Sequence, residues 1–257
     1  MANFCLKSHS SLERNGKSYD ILNNAMSYFF MKIIWALFLT LSIANALASN
    51  GLPAKRYELL SGVRKNGESK DFWDKKFSQG DYVFGKTPAA FLAGNFRYIP
   101  AGAKVLDIGM GEGRNAVFLA RKGYKVTGVD ISSVAVKKAR MLAQEFGVRI
   151  DTVVSSIEKY HVEPNSMDAI ICFYYVDRKL NEKFLSWLKP GGLLIYESHT
   201  DRQRSVKGNE NYDRNYLLRP GELLNLFQGY RVLKYEEPLH QKDYTASIIL
   251  QRPLKNM

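Results

Sequence analysis

Cysteine is nearly absent from this 257-residue chain. Cys5 and Cys172 stand far apart, so neither a disulfide framework nor a paired-cysteine metal motif is available. Cys172 falls in an apolar run and reads as a buried thiol. Histidine is also scarce, four in all. No group of His, Cys, Asp and Glu has the spacing of metal ligands, and no metal is expected. No period of roughly 20–50 residues repeats, which excludes solenoids and propellers. Acidic residues are outnumbered, 25 against 37 basic, for a net charge of +12. That balance admits nucleic acid or a membrane surface as partner. The basic residues are scattered, however, and the densest groups, Lys75-Lys76 and Lys137-Lys138-Arg140, read as solvated helix faces. No specific nucleic-acid partner is expected.

What is present starts with "MKIIWALFLTLSIANALASNG", from Met31. Lys32 supplies a positive start, Ile33 to Ile43 an apolar stretch, and Ala46-Leu47-Ala48 a small-x-small site before Ser49. The run is shorter than the ~20 residues of a spanning helix, so residues 31–48 read as a signal peptide. An uncleaved anchor and a helix packed on the domain are the alternatives. Residues 1–30 are then a poorly structured extension, or lie ahead of a true start at Met31. Cleavage would make the protein periplasmic or secreted, without a stable membrane span; the alternative is cytoplasmic.

The length suffices for one full core. From Ala103 onward strand-like runs alternate with helical patterns: "KVLDIG", a helix around 114–122, "KVTGVD", the helical "SVAVKKARMLAQEF", then "IDTVV" and "MDAIICFYY". "NEKFLSWL" reads as a helix stopped by Pro190-Gly191-Gly192, followed by the strand "LLIYESH". "RPGELLNLF" starts a helix with proline in its first turn, and "RVLKYEE" and "TASIILQR" close the chain as strands joined without a helix. The pattern predicts an α/β, Rossmann-like, doubly wound sheet of seven strands with helices on both faces. It is mostly parallel, with one antiparallel strand near the C-terminus.

The glycines of "VLDIGMGEGRNAVFLA" narrow the ligand. Gly109, Gly111 and Gly113 are spaced so that a dinucleotide fingerprint would need its third glycine where Arg114 stands. No Lys-Ser or Lys-Thr follows, which excludes a P-loop. Asp107, at the carboxyl end of the first strand, repels phosphate but can receive an ammonium group. Asp130 ends "VTGVD" about 20 residues further on, where an acid accepts hydrogen bonds from ribose hydroxyls; its bland alternative is capping the helix that begins near Ser133. Ammonium acceptor and ribose acceptor together fit S-adenosylmethionine (SAM) better than any phosphate-bearing ligand.

"VLDIGMGEGRNAVFLA", "VTGVDIS" and "LKPGGLLIYES" resemble the motifs of class I SAM-dependent methyltransferases. "FWDKKFSQGDYVFGKTPAAFL" and "NYLLRPGELLNLF" are similar to the tellurite-resistance and thiopurine-type branch, which acts on small molecules. The resemblance implies SAM as cofactor, S-adenosylhomocysteine as product and a small-molecule methyl acceptor such as a thiol or chalcogen oxyanion. It implies a catalytic domain over 96–257 and a lid over 49–95 that closes on the cofactor, with Trp73, Phe77, Tyr82 and Gly85 at the matching positions. Ile131 and Phe173 join the expected cofactor set. One departure stands at "SSIEKY", where the family has an acid followed by an apolar residue. Ser156 takes the place of the carboxylate toward the adenine amino group, and Ile157 packs on the ring.

Methyl transfer from a sulfonium needs alignment of the nucleophile and exclusion of water. An oxygen or nitrogen acceptor also needs a base. His199, Tyr174 and Arg178 are the catalytic candidates, with Phe173, Tyr175 and Glu197 near them at the carboxyl ends of the fourth and fifth strands. Arg178, Arg214 and Arg219 have the geometry for an anionic substrate. Methylation of RNA or protein and non-catalytic SAM binding are the competing functions. A monomer or homodimer is expected.

Overall fold

The computed structural model describes residues 70–239 and 243–254. The expected extension and leader, and residues 49–69 of the expected lid, lie outside the described residues. Among the described residues, no helix is long and apolar enough to cross a membrane.

Seven strands form one sheet in the order β3-β2-β1-β4-β5-β7-β6. They are β1 (Lys104–Ile108), β2 (Lys125–Asp130), β3 (Asp151–Val154), β4 (Met167–Phe173), β5 (Leu188–His199), β6 (Arg231–Glu236) and β7 (Thr245–Gln251). The five strands from β3 to β5 pair in parallel. β7 runs antiparallel, as the helix-free join of the last two strands predicts, and it inserts between β5 and β6, a position the sequence pattern does not give. The helices are α1 (Lys70–Phe77), α2 (Ala90–Asn95), α3 (Arg114–Arg121), α4 (Ser133–Glu145), α5 (Asn181–Trp187) and α6 (Glu222–Leu226).

Strand pleating explains why near-continuous apolar runs suit this sheet. Successive side chains point to opposite faces, so a strand covered on both sides is apolar throughout. Leu106 and Ile108, Ile170 and Cys172, Leu194, and Ile248 and Leu250 feed one core, which Phe184 and Trp187 of α5 close. The residues between them, Val105, Ala169, Ile171, Ile195 and Ile249, feed a second core under Leu119 of α3 and Val136 of α4. The order reverses at β1, whose neighbours are β2 and β4. A crevice opens outside the carboxyl ends of the strands at such a reversal.

Two boundaries differ from expectation: Pro220 precedes Gly221, the N-cap of α6, and so lies outside that helix's first turn, and the start of β5 shifts. Pro190-Gly191-Gly192 lies inside β5 and does not precede it. Leu188 pairs with Met167, then the register jumps so that Leu193 faces Ala169. The bulged residues are held by the chain end: Gly191 N–H donates to Arg252 C=O (3.0 Å) and Arg252 N–H to Gly192 C=O (2.8 Å).

Candidate active site

The crevice is a cavity of about 440 Å³, within the ~300–1,000 Å³ range of small-molecule sites. Its first end is built by the turns after β1 and β2. Gly109 and Gly111 line it, both at positive φ (63° and 57°). Gly113 has a different task at the N-terminus of α3. With φ at 84°, a Cβ there would lie 2.7 Å from Ala139 Cβ, so the missing side chain lets α3 and α4 approach. Arg114 is the first residue of α3 and lines the cavity where a dinucleotide loop would place glycine.

Asp130, the last residue of β2, faces the cavity. Its Oδ2 accepts from Gly111 N–H and its Oδ1 from Ser132 N–H, each at 2.8 Å. Ser132 caps α4, its Oγ accepting from Ala135 N–H at 3.1 Å. Asp130 is therefore not needed as the helix cap. Burial pushes its carboxyl up to about 6, opposed by the Ser132 and Gly111 N–H groups. Asp107 is also buried but does not line the cavity, and its Oδ2 has no hydrogen-bond partner in the protein. Burial first, then the charge of Asp130, pushes it up to about 8. A buried acceptor of this kind suits an incoming cationic donor, because an unmatched buried polar group costs ~1–3 kcal/mol. Ile131, Ser156 and Ile157 complete this end of the wall.

The second end lies beyond β4 and β5. Tyr174 adopts φ 60°, a left-handed conformation costly for a bulky residue. Such strain persists only where neighbours over-determine it. Here its N–H donates to Glu197 C=O (2.8 Å) and its hydroxyl to Glu197 Oε1 (2.9 Å). Glu197 Oε2 accepts from Ser247 Oγ at 2.6 Å, and burial raises the Glu197 carboxyl. The Tyr174 ring lies 4.9 Å from that of His199 and under the Arg114 guanidinium at 5.5 Å. His199 in turn meets Tyr212 edge-on at 6.1 Å. Phe173 and Tyr175 also line this end.

Residues before β1 supply a third wall. Trp73 stacks on Phe77 at 5.7 Å, and Phe77 meets Phe84 at 6.0 Å; all three line the cavity with Gly85. Lys76 is buried beside Trp73, 5.2 Å from its ring, and burial lowers its ammonium to about 8.

Several sequence-named residues stand elsewhere. Tyr82 is not in the cavity wall; its hydroxyl donates to Lys138 C=O at 3.2 Å. Arg178 corrects the expectation of a catalytic or substrate role. The chain turns away after β4 into a 3₁₀ segment, and the guanidinium pairs with both Glu222 oxygens (2.5 and 3.0 Å). It also donates to the carbonyls of Asn215 and Leu217, both at 3.0 Å, so it fastens the loop before α6. Arg214 and Arg219 also lie outside the cavity lining, as do Asp107, Gly113 and Glu197. Conversely, Glu112, Asn115, Tyr212, Asp213 and Tyr216 line the cavity without having been singled out. The last three alternate aromatic and acidic groups in "NYDRNY", a signal visible in sequence but with no placement attached.

Comparison with known proteins accords with this geometry. Residues 105–192 match the family model described as "Methyltransferase domain". That segment of the chain is thus similar to a methyltransferase domain. The chain is 38% identical over 105 residues to a ubiquinone biosynthesis O-methyltransferase of Xanthomonas axonopodis pv. citri, covering 38% of this chain and 44% of that protein. It is 30% identical over 143 residues to the enzyme of that name from Erwinia tasmaniensis, covering 48% and 59%. The chain thus spans about half the length of these curated relatives. A SAM-dependent methyltransferase from Aquifex aeolicus shares the fold with a TM-score of 0.55 at 20% identity, over 69% of this chain and 97% of that one. TehB from Haemophilus influenzae does so with 0.53 at 18%, over 71% and 66%. The described sheet and its helices therefore share the Rossmann-like architecture of those structures.

Proposed function

We propose that the protein transfers a methyl group from SAM to a small-molecule acceptor. The observation that carries this reading is the two-ended cavity at the sheet reversal. Glycine backbone and Asp130 form one end, and Tyr174 and His199 the other. Asp130 accepts from the ribose hydroxyls with lone pairs left beyond its two backbone donors. Ser156 accepts from the adenine amino group while Ile157 packs on the ring. Bound SAM supplies an activated methyl on a sulfonium. The chain's own work is alignment and exclusion of water by Trp73, Phe77 and Phe84.

A thiol or chalcogen oxyanion needs no further help. A hydroxyl acceptor, which the names of the curated relatives favour, needs a base, and His199 is the group that would take its proton. Calorimetry with SAM followed by labelled-methyl transfer to thiols, tellurite, selenite, phenols and bulk RNA tests the proposal. SAM binding with transfer to a small acceptor is expected. Absence of SAM binding, or transfer to RNA alone, would reject it. We further propose export through the Met31 leader; a native N-terminus at Ser49 supports this, and an intact Met31 start counts against it.

A further inference from the structure

Asp130 holds two neighbours by their backbone, and each of those neighbours leads to the segment before β1. On one side its Oδ2 fixes Gly111 N–H, and the next residue is Glu112, whose carboxylate is buried. Glu112 Oε2 accepts from Phe84 N–H (3.3 Å) and Oε1 from Lys138 Nζ (2.9 Å). Lys138 Nζ also donates to Gly80 C=O (2.9 Å) and Asp81 C=O (3.1 Å). On the other side Asp130 Oδ1 fixes Ser132 N–H, and Ser132 Oγ donates to Asp74 Oδ1 at 2.7 Å. Asp74 also accepts from Val134 N–H at 3.2 Å, so α1 is pinned onto the first turn of α4. Both arms start on one carboxylate and end on the aromatic wall.

We propose that Asp74 and Glu112 are positioning residues through which a ligand held at Asp130 fastens residues 70–86 over the cavity. This rests on the reading of Asp130 as the ribose acceptor. Ribose hydroxyls on Asp130 exclude water from its carboxylate and so favour the arrangement in which Gly111 and Ser132 remain its backbone donors. That arrangement presents Glu112 to Phe84 and Lys138, and Ser132 to Asp74. The coupling is reciprocal by thermodynamic linkage. A segment fastened by the cofactor must hold the cofactor, and cutting either arm must release it faster. A third contact of the same segment, the exposed ion pair of Lys86 with Glu145 (2.6 Å), does not trace to Asp130 and serves as the control.

The test uses the full chain with SAM itself. Amide exchange over 70–86 is followed with and without SAM, and the SAM dissociation rate is measured in wild type, Asp74→Asn, Glu112→Gln and Lys86→Met. The two arm variants are near-isosteric and keep the fold, which circular dichroism verifies. SAM is expected to slow exchange over 70–86 in wild type. Each arm variant is expected to erase that slowing and to raise the dissociation rate about tenfold, equivalent to ~1.4 kcal/mol. Lys86→Met should match wild type in both. The inference is overturned if SAM binds without slowing exchange. It is also overturned if either arm variant releases SAM at the wild-type rate, or if Lys86→Met acts as strongly as the arms. A wild-type protein that binds no SAM rejects the proposed function itself, and the first titration reveals it.

Discussion

The two ends of the cavity are built by different means. At the end formed by β1 and β2, glycine backbone and the Asp130 carboxylate, set by short turns directly after strands, stand beside Glu112, Ile131, Ser156 and Ile157. At the end beyond β4 and β5, the wall is side chain: Tyr174, His199, Tyr212, Asp213 and Tyr216. Three of these come from the segment between β5 and α6, which winds through 3₁₀ turns at Asp201–Ser205 and Arg214–Tyr216. Backbone recognition constrains conformation tightly and tolerates little substitution. Side-chain recognition on a connecting segment can be retuned without moving the scaffold. The first end therefore suits a fixed cofactor and the second an acceptor that differs from protein to protein.

The contrast can be broken most sharply at the second end. For a hydroxyl acceptor, His199→Gln should lower kcat by about 10²–10⁴-fold, the usual worth of a positioned base, with SAM affinity little changed. A thiol acceptor assayed beside it should lose far less, since it needs no base at neutral pH. Equal losses for both acceptors would assign His199 to packing against Tyr174 and Tyr212.

At the first end, Gly113→Ala forces a side chain into positive φ and against Ala139. A destabilisation of about 3 kcal/mol is expected in denaturant melts. A near-neutral result would show that α3 and α4 can separate freely. Asp130→Ala should weaken SAM binding by about 1–3 kcal/mol, the cost of buried donors left unmatched; calorimetry checks this. Unchanged affinity would remove the ribose assignment and with it the contrast between the ends.

Asp107 sharpens the same end through pH. Its carboxyl is raised from an ordinary 3.8 to about 8, so the folded protein holds a proton that the unfolded chain releases. Stability of the cofactor-free protein from this group is therefore lost as pH rises between about 4 and 8. Asp107→Asn should flatten that slope and raise Tm at pH 8. A slope unchanged by the substitution would place the titration on another group. The smallest effect belongs to Arg178→Met. The ion pair with Glu222 is partly exposed, so about 1 kcal/mol or less of stability is expected to go, with kcat within twofold of wild type. A large loss in kcat would return Arg178 to the acceptor site.

Legibility in the sequence followed the same division. Gly109, Gly111 and Asp130 follow from spacing, Ser156 and Ile157 from the family resemblance, and all five line the cavity. Strand ends in an alternating α/β chain have one place to go, and the turns between them are too short to choose otherwise. Asp107 was named for the same reason, yet its carboxylate is buried outside the lining. Which way a strand residue points depends on the pleat, and spacing alone does not report it. Arg178 was misplaced because a basic residue after β4 looks the same whether it turns to the ligand or to Glu222. Its partner lies 44 positions away.

By itself, then, the sequence determined the doubly wound sheet, the presence of one antiparallel strand near the C-terminus and the exclusion of a phosphate-binding loop. Periodicity, glycine spacing and carboxylates at strand ends are local properties, written within a few residues. Only the tertiary structure decided that Ser132 and not Asp130 caps α4, that Arg178 ties a loop, and that Glu112 and Asp74 reach the segment before β1. Those outcomes hang on side-chain hydrogen bonds between distant positions. Each donor there has several acceptors within its chemistry, and packing selects among them.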